Sequence, residues 1–279
     1  MTLKYGSEGK KVEALQMALL RLGYPLPKWG ADGDLGFETW AAVRSFGLNH
    51  GKKLPDGVKG AEVPDNLVVQ IVTLAAAVTP SNTPPNFFDV TGDHSGKQRR
   101  GTRSWQRVSG IVLHQTAVLL GPKVERWYDV AAHVGIPTNG KIIQINPLEQ
   151  LIWHANSLND RTVGIEISGN FEGIDGNPKT YWKPGGGPQR ATAAQLQAAR
   201  DAVQWICDEI AARGGAVRYI FAHRQASEER RADPGSRVWE HVGLWGQSQL
   251  GLSDGGPGYK VGTGAPIPRD WDPNRTERY

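Results

Sequence analysis

Residues 111–117 read Ile-Val-Leu-His-Gln-Thr-Ala, a short apolar run that ends at a histidine. Runs of this length that are rich in branched or aromatic residues are typical of buried strands. Further runs of the same kind occur in the C-terminal part of the chain, at residues 142–145, 151–153, 163–167 and 219–221. Together they predict a sheet.

A long helix is predicted between the last two of these runs, over residues 192–213. Thr192 and Gln195 have the spacing of a capping box, and Gly214 follows the last periodic residue. Apolar residues recur on one face, and Cys207 lies among them, so we expect its thiol to belong to the core. Strands and helices in alternation predict an α/β domain, which we place at residues 105–250.

The N-terminal part of the chain has a different pattern. Apolar residues recur at three- and four-residue steps in three stretches, near residues 9–22, 37–46 and 65–78. Each stretch is long enough for a short amphipathic helix. The sequence therefore predicts a small all-α domain of three helices over residues 1–79.

Two segments lack any such periodicity. Residues 80–104 contain prolines, glycines and a basic run, and we interpret them as a linker. Residues 251–279 are again rich in glycine and proline, which predicts a tail that lies across the domain surface, anchored by Trp271. Trp153 ends one of the apolar runs, and we expect it to lie mostly in the core.

Composition excludes several classes of protein. The chain has 32 Lys and Arg against 28 Asp and Glu, and its net charge of +4 is too small for a nucleic-acid-binding surface. The single cysteine excludes an intramolecular disulfide. No apolar stretch is long enough for a secretory signal or a membrane span. We therefore expect synthesis in the cytoplasm, no nucleic-acid partner and no membrane span.

Three of the seven histidines, His114, His154 and His223, follow predicted strands, and Asp233 comes soon after the last of them. Two imidazoles and a carboxylate with an open fourth position form the ligand set of catalytic zinc. Ligands on separate elements meet only if the fold brings them together. From spacing alone, a structural role for these histidines therefore stays open.

Several motifs follow one another over residues 105–240. They are Ile111-Val112-Leu113-His114-Gln115-Thr116-Ala117, Ala132-His133, Gly140-x-Ile142-x-Gln144, Trp153-His154-Ala155, Asn159-Asp160-x-Thr162-Val163-Gly164-Ile165-Glu166, Ala222-His223 and Arg231-x-Asp233-Pro234-Gly235. In this order they resemble the type 2 zinc amidases, which are N-acetylmuramoyl-L-alanine amidases related to phage lysins and to peptidoglycan recognition proteins. The resemblance implies an α/β fold with a mixed central sheet flanked by helices.

The resemblance also implies the centre of the site. His114, His223 and Asp233 match the family's Zn²⁺ ligands, and Glu166 matches its general base. Zinc-activated water would attack the scissile carbonyl, and the Glu166 carboxylate would pass a proton to the leaving nitrogen.

Four further residues match family positions that lie near the metal site. Arg231 stands where the family often has lysine, and would stabilise the developing oxyanion. His133, His154 and Asn159 match positions along the substrate groove. A hydrogen-bonded structural role is the alternative for both histidines, and fixing the loop before Glu166 is the alternative for Asn159.

A second resemblance covers residues 6–46. The pattern Gly6-x-x-Gly9-x-x-Val12-x-x-Leu15-Gln16 is followed by the turn Asp32-Gly33-Asp34-Leu35-Gly36. It resembles the three-helix peptidoglycan-binding domain that accompanies many wall hydrolases. This resemblance implies that peptidoglycan is a binding target as well as a substrate.

The two resemblances together predict a modular wall hydrolase. We expect a monomeric endolysin that cleaves the amide bond between N-acetylmuramic acid and L-alanine, and that reaches the bacterial wall after holin-type release or by injection. The alternatives are a non-catalytic wall-recognition protein and, on the same scaffold, a muropeptide-recycling amidase or an injected antibacterial effector.

Overall fold

The computed structural model describes residues 2–22, 24, 26, 29, 31–77, 83–180 and 188–279. The helices are α1 Lys10–Arg21, α2 Phe37–Asn49, α3 Asp65–Ala77, α4 Ala193–Ala212, α5 Ser236–Val238 and α6 Leu244–Leu250. The strands are β1 Leu3–Lys4, β2 Glu62–Val63, β3 Phe87–Asp89, β4 Arg99–Thr102, β5 Gly110–Gln115, β6 Val134–Ile136, β7 Ile142–Gln144, β8 Gln150–Ile152, β9 Thr162–Ile167 and β10 Tyr219–Ala222. The boundary expected at residues 79–80 lies outside the described residues.

The three predicted N-terminal helices are present and share a core of their own. Val12 and Leu15 of α1 are fully buried, and they pack in one cluster with Val43 of α2 and Leu67 of α3. The spacing of these apolar residues is what brings one side of each helix inward. The domain also contains one pair of antiparallel strands, β1 with β2, which are too short to show any alternation in the sequence.

A six-stranded mixed sheet forms the centre of the C-terminal domain, in the order β10-β5-β9-β6-β7-β3. All six residues of β5 are buried, because the strand has a parallel neighbour on each side. The β6–β7 pair is antiparallel, which makes the sheet mixed. The predicted fold class, a mixed central sheet flanked by helices beside a helical N-terminal domain, is confirmed.

The interpretation of residues 80–104 as a linker is wrong for the two parts of the segment that form strands. Strand β3 pairs in parallel with β7 and forms one edge of the central sheet, and β4 pairs antiparallel with β8. Edge strands are held by main-chain hydrogen bonds and need few buried side chains. Residues of β4 are therefore polar and mostly exposed, and no periodicity predicts the strand.

Helix α4 covers one face of this sheet, as predicted. The Thr192 hydroxyl accepts from the main-chain N–H of Gln195 at 3.1 Å, and the Gln195 side chain accepts from the N–H of Thr192 at 3.0 Å. Cys207 packs against the core from a half-buried position, and burial raises the pKa of its thiol. The expectation for Trp153 is wrong, because 64% of this residue is exposed. It follows the last residue of β8 and stacks with Arg100 instead.

Residues 251–279, hereafter the C-terminal segment, lie against the α/β domain. Trp271 and Ile267 are buried in the main core, in keeping with the predicted anchor. None of the helices in the described ranges combines the length and apolar character needed to cross a bilayer.

The cap of α4 gives a test of this packing. We expect Thr192→Ala to lower the free energy of unfolding by about 1 kcal/mol, because the first turn loses an N–H acceptor. The hydroxyl also donates to the carbonyl of Thr138 at 3.0 Å, which ties the helix start to the sheet side of the domain. Urea unfolding followed by tryptophan fluorescence measures the change. Thr192→Ser keeps the hydroxyl and should retain most of the stability; equal losses in both variants would contradict the capping role.

Candidate metal centre and active site

Three neighbouring parallel strands carry the candidate site at their carboxyl ends. His114 lies near the end of β5, directly opposite Glu166 on β9. His223 follows the last residue of β10, the neighbour of β5 on its other side. Asp233 comes from the loop before α5. Parallel strands place their carboxyl ends at one edge of a sheet, which is the usual location of sites in such folds.

The structure brings the three predicted metal ligands together. The Nδ1 atoms of His114 and His223 are 2.9 Å apart, and Asp233 Oδ2 is 2.9 Å from His223 Nδ1. One ligand atom from each residue lies within 4.8 Å of the other two, and all three residues are buried. The main-chain N–H of Gln115 donates to Asp233 Oδ1 at 2.8 Å, so one carboxylate oxygen is held and the other faces the histidines.

His154 belongs to this cluster as a partner of His114. Its Nδ1 is 3.0 Å from His114 Nε2, and its Nε2 is 3.2 Å from the carbonyl oxygen of Thr162. A carbonyl only accepts, so we assign the proton of His154 to Nε2, and His114 Nε2–H then donates to His154 Nδ1. The lone pair of His114 Nδ1 is left facing His223 and Asp233.

Two further features keep this arrangement in place. Burial, and then the neighbouring His223, hold the pKa of His114 well below its usual range, so its imidazole is neutral at pH 7. Gly164 on β9 provides the room for His154, because a Cβ at this position would lie 2.7 Å from the imidazole Nδ1. A neutral imidazole with its outer nitrogen hydrogen-bonded is the form in which histidine binds metals.

Glu166 presents a carboxylate beside the ligands. Its Oε2 is buried, and it has no hydrogen-bond partner among the described residues. Burial raises the pKa of Glu166 well above its usual range, the negative charge of Asp233 adds to this rise, and the positive charge of Arg230 opposes it. An unpartnered buried oxygen with a raised pKa is suited to accept and release a proton.

Arg230, which sequence reasoning missed, is an arginine whose charge acts on this site. It affects the pKa of both His114 and Glu166. Arg231 is exposed, and its charge acts on Arg224 and Tyr279. Successive residues of a helical turn point in different directions. Arg231, the position that matches the family in sequence, therefore points in a different direction from its neighbour Arg230, whose charge acts on the site. The oxyanion role expected of Arg231 is therefore without support from its position.

The expected groove residues lie in supporting positions. His133 is fully buried and does not line an open groove; its Nδ1 accepts from the N–H of Gly164 at 3.0 Å, and its Nε2 lies 2.9 Å from the carbonyl oxygen of Gln150. Asn159 Oδ1 accepts from the main-chain N–H groups of His154 and Ala155, at 2.8 and 2.6 Å. For His133, His154 and Asn159, the structure favours the structural alternative.

Known proteins match parts of the chain. The amidase CwlL of Bacillus licheniformis is 43% identical over 58 residues, which are 21% of this chain and 16% of that protein, so the chain spans about a sixth of this relative's length. Among solved structures, the endolysin N-acetylmuramoyl-L-alanine amidase LysCS of Clostridium intestinale URNW has a TM-score of 0.44 at 15% identity, covering 62% of this chain and 99% of its own. Drosophila PGRP-LB has a TM-score of 0.40 at 14% identity, covering 57% and 92%.

Two family models match separate parts of the chain. Residues 8–64, which contain α1, α2 and β2 and end just before α3, match the family described as "Putative peptidoglycan binding domain". Residues 104–236, which contain the metal-ligand cluster and Glu166, match the N-acetylmuramoyl-L-alanine amidase family. The chain thus joins a domain of the peptidoglycan-binding family to a domain of the N-acetylmuramoyl-L-alanine amidase family.

Proposed function

We propose that this chain is a metal-dependent peptidoglycan hydrolase that cleaves the amide bond between N-acetylmuramic acid and L-alanine. One observation carries the proposal: in a domain that matches the amidase family, His114, His223 and Asp233 converge beside a carboxylate oxygen of Glu166 that has no hydrogen-bond partner in the described part of the chain. We further propose that the protein acts as an endolysin, on the wall of a bacterium that it reaches after release or injection.

The donor set fits Zn²⁺. Two imidazoles and one carboxylate are the protein ligands of many catalytic zinc sites, and the hydrogen bonds from Gln115 and to His154 hold two of the three in a ligating orientation. His114, His223 and Asp233 would hold the ion. When bound there, Zn²⁺ would lower the pKa of water and polarise the scissile carbonyl.

Glu166 carries the proton transfer in this proposal. Its Oε2 takes a proton from the attacking water and gives it to the nitrogen of L-alanine, which leaves as an amine. The raised pKa of Glu166 makes the protonated carboxyl a stable intermediate, and the positive charge of Arg230 keeps the ionised form accessible.

The helical domain has a cavity suited to hold part of the wall polymer. Its volume is about 850 Å³, and its lining combines aromatic rings with carboxylates; it includes Tyr24, Trp29, Asp34, Phe37 and Glu38. Phe37 is 71% exposed, although it begins an otherwise well-packed helix. Exposed aromatic rings beside polar groups are typical of binding surfaces. Binding there would raise the local concentration of the scissile bond.

The role of Glu166 is tested by Glu166→Gln. We expect the rate of stem-peptide release to fall by about 10²- to 10⁴-fold, because the amide side chain cannot move the proton. Mass spectrometry of digested sacculi measures free peptides that begin with L-alanine. Glu240→Gln, which changes an exposed glutamate, is the control. A wild-type chain loaded with zinc that releases no such peptide would overturn the proposed function and favour a non-catalytic wall-recognition protein.

The role of His154 is tested through metal binding alone. We expect His154→Ala to weaken Zn²⁺ binding by about 10- to 100-fold, because His114 loses the partner that fixes its proton. Competition against a zinc chelator measures the dissociation constant. Trp153→Ala removes the exposed neighbour and should leave the constant unchanged. Equal constants for the wild type and His154→Ala would refute the proton assignment.

The cavity of the helical domain is tested by Phe37→Ala. The variant should bind intact sacculi more weakly in a pelleting assay, yet cleave a soluble muropeptide at the wild-type rate, because the amidase domain is unchanged. Leu48→Ala is a matched control, since Leu48 is also exposed and apolar on α2 but is not among the residues that line the cavity. Unchanged binding of Phe37→Ala would count against this cavity as the wall-binding site.

A further inference from the structure

The C-terminal segment lies outside both family matches, since the matched ranges are residues 8–64 and 104–236, yet it is packed against the metal-ligand loop. We define this loop as residues 223–233, since it begins at the ligand His223 and ends at the ligand Asp233. Two residues directly after His223, Arg224 and Gln225, make the contacts between the loop and the segment.

Arg224 has a fully enclosed guanidinium. The residue is 2% exposed, and its guanidinium carbon lies 4.7 Å from the ring centre of Trp271 and 5.2 Å from that of Tyr279. Both aromatic residues belong to the C-terminal segment. Contacts of a desolvated cation with two aromatic rings are among the stronger cation–π arrangements. The side chain next to a metal ligand is therefore held by the segment.

The same arginine ties the two ends of the metal-ligand loop to each other. Its Nη1 donates to the carbonyl oxygen of Arg231 at 2.8 Å, and its main-chain N–H donates to the carbonyl oxygen of Asp233 at 3.1 Å. Its own carbonyl oxygen accepts from the N–H of Ala265 in the C-terminal segment at 2.8 Å. Arg224 thus links the start of the loop, its end and the segment.

Gln225 makes a second connection. Its side-chain oxygen accepts from the N–H of Ala222 at 3.0 Å, and its amide group donates to the carbonyl oxygens of Asp254 and Tyr259 at 2.9 and 3.2 Å. A Cβ at Gly264 would lie 2.0 Å from the main-chain oxygen of Gln225, so the two backbones approach too closely for any other residue there. The segment and the loop are packed backbone to backbone.

The C-terminal segment has an internal brace of its own. Arg275 forms buried ion pairs with Asp254 and, at 2.8 Å, with Asp272. The indole N–H of Trp271 donates to the carbonyl oxygen of Gly173, and the Tyr279 hydroxyl donates to that of Thr180 at 3.1 Å. A buried, fully paired arginine between two carboxylates resists bending of the backbone that carries it.

We propose that the C-terminal segment is a positioning element for the metal ligands, and that Arg224, clasped by Trp271 and Tyr279, is the positioning residue through which it sets the separation of His223 and Asp233. The inference rests on the proposed metal site. It assigns a function to residues 251–279, which lie outside both family matches. Arg224 touches no substrate in this account, and its effect on the reaction passes through the two ligands.

The experiment measures Zn²⁺ binding by the full chain, by chelator competition at a temperature where every variant is folded. We expect Arg224→Ala to weaken binding by about 10- to 100-fold, the range for residues that orient metal ligands. Arg224→Lys keeps the positive charge between the rings but loses the forked guanidinium donor. It should therefore bind Zn²⁺ more tightly than Arg224→Ala and more weakly than the wild type. Arg278→Ala, an exposed arginine of the same segment, is the matched control and should bind as the wild type does.

A second variant keeps the test decisive. Tyr279→Leu removes one of the two aromatic rings that contact Arg224 and leaves Arg224 in place. We expect about 3- to 10-fold weaker Zn²⁺ binding, which is less than the 10- to 100-fold loss that is typical of residues that orient metal ligands directly. If Arg224→Ala does not fold, this variant decides. The inference is overturned if Arg224→Ala folds and binds Zn²⁺ with the wild-type dissociation constant. If Arg224→Ala does not fold, it is overturned by a wild-type dissociation constant in Tyr279→Leu. The proposed function fails separately, if the zinc-loaded wild type binds the ion but releases no stem peptides.

Discussion

The pairing of β5 with β10 on one side and β9 on the other is the constraint on which the site depends. It sets His114 opposite Glu166 and brings His223 to the same edge of the sheet. Side chains alternate between the faces of a strand, so a shift of one residue in either pairing would turn the histidine and the carboxylate apart. Main-chain hydrogen bonds of the buried sheet therefore set the positions of His114, Glu166 and His223 relative to one another.

This placement has an energetic cost that the rest of the domain offsets. Asp233 and Glu166 are carboxylates in a poorly solvated region, where an ionised group is costly unless it is paired. Asp233 has the N–H of Gln115 and the neighbouring His223 as partners, whereas Oε2 of Glu166 has none among the described residues. Burial of apolar side chains between the sheet and α4 offsets the free-energy cost of the unpaired Glu166 oxygen. A buried carboxylate oxygen without a partner, placed beside a cluster of possible ligands, is a feature found at functional sites.

The proposed metal ligands are supported from separate parts of the chain. His154 orients His114 from the loop after β8, Gln115 orients Asp233 from β5 itself, and Arg224 connects the metal-ligand loop to the C-terminal segment. Ligands held by rigid surroundings keep their geometry when an ion arrives, which favours binding. The helical domain is built on a core of its own, so its cavity and the metal centre are formed by separate packing units.

The set of proposed metal ligands came from the resemblance to the zinc amidases, because spacing alone left a structural role for the histidines open. The order of residue types was enough for helices α1 to α4 and for the strands β5, β7, β8, β9 and β10, because burial of side chains leaves a period in the sequence. It was not enough for β3 and β4, since edge strands are held by main-chain groups that every residue carries. The expectation for Trp153 was wrong and Arg230 was missed, because the exposure and direction of a side chain depend on neighbours from distant parts of the chain. The hydrogen bond between His114 and His154 and the contact between Arg224 and Trp271 likewise exist only once the sheet is assembled, because contacts between residues far apart in sequence are fixed by packing and not by local pattern.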